Sequence, residues 1–528
     1  MARYPIALTS DSEERSARSG KGPYMQNVIV EPKTPGEEVI RIVKRPGLDY
    51  ITTADSGTYK GFGLYYSNAT LLYQETLFLK HDASGAATDW FLYRLNGTGS
   101  ATQLYEFPGT AVASDVFAIF QKLNKNGSGF DDIAIGFAAR GYVYSTRNSI
   151  AQITDADFPG SLRGFAYLDG YLCAAGGGGV FNSDLNAPTA WSATNYILPQ
   201  SMNESNGIQW IANHKNHIAV FGKNSIEFLY NAGNPTASPF SVRQEYQIFN
   251  VGLFQSNTMG ANPTNPRAYI VDIDRGERIA FVSHSANGVL GVHMLDNFRL
   301  TKLSNLTIDK YLNQKFDETV IRHPMLASIS INGRVYLVLT IRSYDTATER
   351  YKSWVYDLEG GVWTPWTADS TICAGSNFDV AAAAALAYSS GTTTQDKPMG
   401  SVVQMSDAKL YYLNESLYQD ENSSAAAKTI TVEIVTPKYR GPERTNALPK
   451  FQRDLYVFAD RTPDPGTIDV SFTDDDYQTY STAVTLDLSE ADAHLAGLGS
   501  FTERAFKLSH TANAPLRLEQ FMESGINI

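Results

Sequence analysis

Short apolar runs separated by polar turns recur along most of the chain, most clearly in HIAVFGKNSIEFLYNAG, His217 to Gly233. Ile218 to Phe221 and Ile226 to Tyr230 flank a polar turn, Gly222 to Ser225. This pattern predicts a buried β-hairpin, because glycine permits the turn and β-branched and aromatic side chains suit a pleated surface. Upstream, GFAYLDGYLCAAGGGGVFNSDL (Gly164 to Leu185) predicts a strand, a turn at Asp169-Gly170, a second strand, a glycine turn and a third strand. The rhythm is nearly unbroken from about Gly61 to about Asn422. Asn332-Gly333 and Glu359-Gly360 stand where tight hairpin turns are required. A blade of four strands takes ~40 to 50 residues, so the region predicts a β-propeller of about six blades. One helix is predicted, over Thr307 to Val320.

After SSAAAK (Ser423 to Lys428) the rhythm changes. TITVEIVTP, RDLYVFAD, GTIDVSFT, TAVTLDL, ERAFKLSH and LRLEQFME alternate well and predict an antiparallel sandwich. The early strands NVIVEP and VIRIVKRPGLDYITT are assigned to the same platform, since an inserted propeller brings both chain ends together. The fold class is therefore all-β: a propeller inserted in, or joined to, an antiparallel β-sandwich platform. The divisions are a flexible or partner-ordered arm at 1–24, entry strands at 25–55, a propeller at 56–425 and a C-terminal sandwich at 426–528.

Composition agrees with an all-β chain: 30 Tyr, 26 Phe and 41 Gly stand among 528 residues with few long helical patterns. Cys173 and Cys373 are the only cysteines, which argues against a disulfide framework or thiolate metal site and fits synthesis in a reducing compartment. The N-terminus carries no apolar stretch of signal-peptide length, and the alanine run Ala381 to Ala385 is far too short to cross a membrane. With 43 Lys+Arg against 55 Asp+Glu, the net charge is -12. Tight nucleic-acid binding needs Lys and Arg to replace phosphate counterions, and no basic run offers them. A passage along which DNA slides remains compatible, because an acidic wall repels phosphates.

Four constellations invite chemical readings. His214 and His217 are spaced like metal ligands but lie beside a strand with no third ligand, so strand-edge histidines are the preferred reading. Gly176 to Gly179 lacks the Lys-Ser/Thr of a phosphate cradle and reads as a turn. Asp474, Asp475 and Asp476 in SFTDDDYQTYS resemble the Asp-box hairpin of sialidase-like propellers, with Tyr477 in place of its glycine; a structural turn is preferred to a calcium loop. Asp272 and Asp274 alternate on one strand face, where paired carboxylates could serve glycoside hydrolysis, but a solvated face is the commoner meaning. No catalytic, cofactor-binding or metal-binding residue is assigned, and no cofactor is expected.

Several segments together resemble the packaged-DNA stabilisation proteins, the tail nozzles of short-tailed bacteriophages. They are Phe221, Gly222, Ile226, Glu227 and Phe228 in the hairpin; Gly170, Phe181, Asp184-Leu185, Pro188 and Trp191 before it; and Trp354, Val355, Tyr356, Asp357 and Trp363 after it. Arg45-Pro46-Gly47-Leu48 matches the family's entry segment more weakly. The resemblance implies a non-enzymatic virion protein of the viral tail, made in the host cytoplasm. It implies a six-fold ring beneath a tail adaptor that extends the portal-adaptor channel, retains packaged DNA and lets it exit during ejection. Tail fibre or tailspike and tail needle proteins are further partners it suggests, with double-stranded DNA passing transiently and no membrane segment. The alternative is a propeller-type glycan-binding or glycan-hydrolysing tail protein acting on the host surface.

Overall fold

The computed structural model describes residues 3–5, 23–31, 41–53, 61–70, 73–81, 90–95, 101–108, 116–123, 132–145, 149–203, 207–254, 270–273, 276–313, 322–343, 352–373, 377–386, 400–405, 408–440, 449–461, 466–490 and 492–527. The alternating runs form antiparallel sheets in chain order. The most strongly patterned hairpin is formed by His217–Phe221 and Ser225–Asn231, paired from Phe221↔Ile226 to Ile218↔Leu229. Turn chemistry holds as well. Asp169 and Gly170 (φ 51° and 88°), and Asn332 and Gly333 (φ 51° and 75°), take the two left-handed positions of tight hairpin turns. Between Lys352–Asp357 and Val362–Trp366 the left-handed residue is Gly361 (φ 68°), one place beyond the predicted pair.

Among the described residues, seven successive sheets, each built on four strands in series, span 64–107, 119–152, 164–197, 210–242, 251–302, 322–366 and 380–414. First strands pack together from the second sheet to the third, the third to the fourth and the sixth to the seventh. The first and second are bridged by the parallel pair Gly61–Phe62 and Val116–Phe117. The fourth meets the fifth through Ser225–Asn231 and Val251–Leu253, and the fifth meets the sixth through Ile270–Asp272 and Arg322–Ile331. Val380–Leu386 in the seventh packs against Leu64–Thr70 in the first, so the sheets close into a ring. The seventh sheet receives its fourth strand from the start of the chain: Gly47–Thr53 pairs with Lys409–Asn414, Leu48 opposite Leu413. This differs from the expected six blades and from the assignment of all of 25–55 to the platform. Two causes combine. Strand alternation does not reveal which edge a strand will close, and Val380–Leu386, nearly all alanine, lacks the β-branched signature of a strand. Alanine suits that place because the strand is packed between Arg322–Ile331 and Leu64–Thr70, where small side chains let backbones approach.

Side-chain amides tie neighbouring sheets. Gln404, fully buried, accepts from the Gly63 N–H (3.1 Å) and donates to the Gly61 carbonyl (2.7 Å), clamping the seventh sheet to the first. Asn213 likewise accepts from the Tyr167 N–H (2.9 Å) and donates to the Tyr167 carbonyl. Gln404→Leu is expected to strand two buried backbone groups at ~1–3 kcal/mol each and loosen ring closure. A lowered urea midpoint, with faster amide exchange in 61–70 and 400–405, checks this.

The platform consists of two facing sheets. One is Val28–Glu31, Arg41–Lys44, Arg517–Asn527, Lys450–Ala459 and His494–Phe501, with Arg3–Pro5 also on Arg517–Asn527. The other is Tyr24–Gln26, Val432–Val435, Ala505–His510, Thr467–Thr473 and Val484–Asp487. Met25, Val28, Ile42, Leu455, Val470, Phe506 and Phe521 meet in its core, so residues from both ends of the sequence build one hydrophobic layer. The helix runs Leu306–Asn313, capped by Asn305 Oδ1 on the Ile308 N–H (2.9 Å), and buries Ile308 and Leu312. The remainder of its predicted range, 314–320, lies outside the described residues.

Candidate functional site

A dense buried polar network lies where the chain leaves the platform for the ring. Arg41–Lys44 ends in a platform sheet and Gly47–Thr53 begins in the seventh ring sheet, so Arg45 and Pro46 are the whole connection. Arg45 is fully buried and makes a two-pronged ion pair with Asp420, Nη1 to Oδ1 at 2.9 Å and Nη2 to Oδ2 at 2.6 Å. Its other donors reach the Pro46 carbonyl (2.9 Å), the Thr367 carbonyl (2.7 Å) and Asn27 Oδ1 (3.2 Å). Phe378 (5.3 Å) and Trp366 (5.9 Å) cover the guanidinium with their rings.

Asn27 completes the junction from the platform side. Held at φ 59°, it donates to Thr367 Oγ1 (2.7 Å) and the Thr431 carbonyl (2.8 Å), while its Oδ1 accepts from the Thr367 N–H (2.7 Å). Trp366 Nε1 and Thr364 Oγ1 both donate to the Val28 carbonyl, at 3.1 and 3.0 Å. Next door, Lys44 donates to the Ala512 carbonyl (2.8 Å), and burial, with Arg45 beside it, lowers its ammonium to about 8. A guanidinium this deep is tolerable because every edge of it meets an acceptor or an aromatic face. Chemically the site fixes one geometry between two bodies, and every Arg45 donor is spent on a partner within it.

The residues that carried the resemblance are framework. Glu227, 1% exposed in an otherwise apolar strand, accepts from the backbone N–H groups of Gln200 (3.1 Å) and Ser201 (2.8 Å) and from the Gln247 amide (3.3 Å). Its carboxylate thus caps the turn Gln200–Asn203. Trp191 receives Asp155 Oδ2 on its backbone N–H (2.9 Å) and donates Nε1 to the Pro188 carbonyl (3.0 Å). Asp357 takes Arg334 Nη2 at 2.6 Å, and Trp363 Nε1 reaches back to the Leu303 carbonyl (2.8 Å), joining the sixth sheet to the fifth.

The described chemical candidates each take a definite place in the fold. His214 and His217 face each other across one hairpin, and Phe298 sets its ring edge-on to both, at 4.9 and 5.0 Å. Among the described residues no group of three His, Cys, Asp or Glu side chains is placed to hold a metal. Gly176 and Gly179 pair across the tip of a hairpin, where the Gly177 N–H donates to Ser161 Oγ (2.8 Å). The three aspartates divide their labour on the platform. Asp474 binds Arg504 through both oxygens (2.8 and 2.7 Å) and Asp476 binds Lys438 (2.7 Å). Asp475 accepts from Thr479, Thr473 and Gln478, and the Thr479 and Thr473 hydroxyls foremost hold its carboxyl below the usual range. Asp272 accepts from the Gly276 N–H (2.6 Å), and Asp274 lies outside the described residues.

Burial, reinforced by Lys215, lowers the His214 imidazole to about 4, and burial with Lys44 nearby does the same for His510. Both are neutral in the fold, so the unfolded chain takes up protons first as pH falls through ~6.5. Their contribution is present above that value, is lost between about pH 6.5 and 4, and changes no further below. The expected loss is on the order of 3 kcal/mol per imidazole. Urea midpoints across this window should fall less steeply in His214→Gln, which keeps an acceptor for the Phe298 N–H.

Neither Asn27, Asp420 nor Gln404 is singled out by the sequence. Each is one polar residue in a short unremarkable context, and its partners are remote in the chain.

A family model described as bacteriophage P22 Gp10, β-propeller, matches residues 91–366, just over half of the chain. No curated protein matches the chain significantly. Among solved structures, the extracellular domain of BT4673 from B. thetaiotaomicron is similar at 11% identity and TM-score 0.37, covering 82% of this chain, which spans only 43% of that one. An exo-beta-1,3-galactanase from Phanerochaete chrysosporium is similar at 8% identity and TM-score 0.25, covering 90% and 100% of the two chains. AofleA from Arthrobotrys oligospora is similar at 12% identity and TM-score 0.29, covering 78% and 95%.

Proposed function

The chain belongs to the phage stabilisation family of bacteriophage P22 Gp10 β-propeller proteins, and on that premise we propose that it forms the tail nozzle of a short-tailed phage. Copies associate as a ring, six-fold by resemblance, below the tail adaptor. They extend the portal-adaptor channel, retain the packaged DNA and release it on ejection. Its division is a propeller carried by a platform that gathers strands from both chain ends. Tail fibre or tailspike and needle proteins are the further partners proposed.

The observation that carries this reading is how little space the described residues leave where strands of five of the seven sheets meet. Gly63, Ala118, Val271, Ala327 and Ala381 converge there around a cavity of about 30 Å³. That is room for about one water. A duplex whose major groove alone is ~12 Å wide cannot thread it. The DNA path therefore runs between copies, with each propeller serving as a solid wall block. The Arg45–Asp420 junction supports the same role, since it holds wall block and platform in one fixed relation. The net charge of -12 supports release over grip. No helix among the described residues is long and apolar enough to cross a membrane. A glycan hydrolase would need paired carboxylates in an open cleft; the described residues lining the axial cavity carry none.

Particles assembled without this chain are expected to package DNA and then lose it, read as nuclease-sensitive genome after packaging. Particles that keep their DNA without it would overturn the proposal.

A further inference from the structure

We infer that residues 3–5 act as an exchangeable strand, which in the assembled ring adds to the Arg517–Asn527 strand of a second copy of this chain. The inference rests on the ring reading above. Arg517–Asn527 is paired along nearly its whole length by Lys450–Ala459 on one side. On the other side Arg41–Lys44 covers only Arg517 and Leu518. Beyond that, among the described residues, the edge is paired only by Arg3–Pro5, in register Arg3↔Ser524, Tyr4↔Glu523 and Pro5↔Met522. Among the described residues Arg3–Pro5 pairs with no other strand.

Two physical points favour exchange. Residues 6–23 separate this strand from Tyr24–Gln26, and at ~3.3 Å per residue they span about 60 Å when extended, more than the width of a sandwich of this size. An identical copy also offers the same edge in the same register, so exchange gives up none of these backbone hydrogen bonds and adds a link between copies. An open edge is otherwise a template for uncontrolled pairing, and a strand supplied in a closed ring covers every such edge.

Two single variants, Tyr4→Cys and Glu523→Cys, are purified separately, mixed, assembled and oxidised. Opposed residues of paired strands bring their Cβ atoms to ~4.5–5.5 Å, close enough for a disulfide after small adjustment. The native Cys173 and Cys373 are buried and do not compete. Exchange predicts disulfide-linked pairs containing one of each variant, abundant in the ring fraction and absent when either variant is oxidised alone. The double variant Tyr4→Cys/Glu523→Cys should then give a ladder of linked chains. Rings that yield no mixed pairs, with the double variant closing only within single chains, overturn the inference and leave the ring intact. A chain that stays monomeric by size overturns both.

Discussion

Asp420→Ala is expected to destabilise the protein by ~3–5 kcal/mol, because it leaves the Arg45 guanidinium buried without a counter-charge. Asp420 is itself buried and also accepts from the Leu48 N–H (3.0 Å), so the substitution removes the anchor of the first ring residues as well. The damage should concentrate where platform meets ring. Urea unfolding should show the transition moved to lower denaturant, and limited proteolysis should cut near 45–47 and 417–420. Removing both charges is a different perturbation. Arg45→Met with Asp420→Leu is expected to recover most of the loss, since two apolar residues need no pairing. If the single variant proves as stable as the double, the junction does not fix the relation between the two bodies.

Gly252→Ala should be comparably severe and local to the hairpin that anchors the sheet ring. A Cβ on Gly252 would stand 2.3 Å from the Lys223 carbonyl carbon and 2.4 Å from the Gly222 oxygen. Both are backbone atoms of the Gly222 to Ser225 turn, and the Leu253 N–H donates to that same Gly222 oxygen (2.9 Å). The fourth and fifth sheets therefore touch backbone to backbone, with no side chain able to yield. Relief requires parting the two sheets, at a cost of about 3 kcal/mol or more. The expected results are reduced soluble yield and a thermal midpoint several degrees lower. An unchanged midpoint would mean the two sheets slide freely.

Much of the fold is legible in the sequence where its signals are local. The hairpin from His217 to Asn231 announces itself through β-branched alternation and a polar turn, and the left-handed pairs at Asp169-Gly170 and Asn332-Gly333 announce their turns. Ring closure is not local. Gly47–Thr53 alternates like any strand, and nothing in its composition says that its partner is Lys409–Asn414. The junction leaves even less trace in the sequence. Arg45 lies in a recognisable entry segment, but Asp420 stands 375 residues away in a three-residue strand and Asn27 in an ordinary strand break. Buried polar networks assembled from remote single residues leave no periodic trace. Glu227 is the instructive middle case: a carboxylate inside an apolar strand signals a buried acceptor, though its donors at Gln200 and Ser201 appear only in three dimensions.

Imaging this chain inside intact particles tests the central claim most directly. The account predicts a ring of copies on the tail axis, each propeller solid at its own centre, with the DNA path enclosed between neighbouring chains. Density for DNA threading a single propeller, or copies placed on the particle periphery away from the axis, would contradict it.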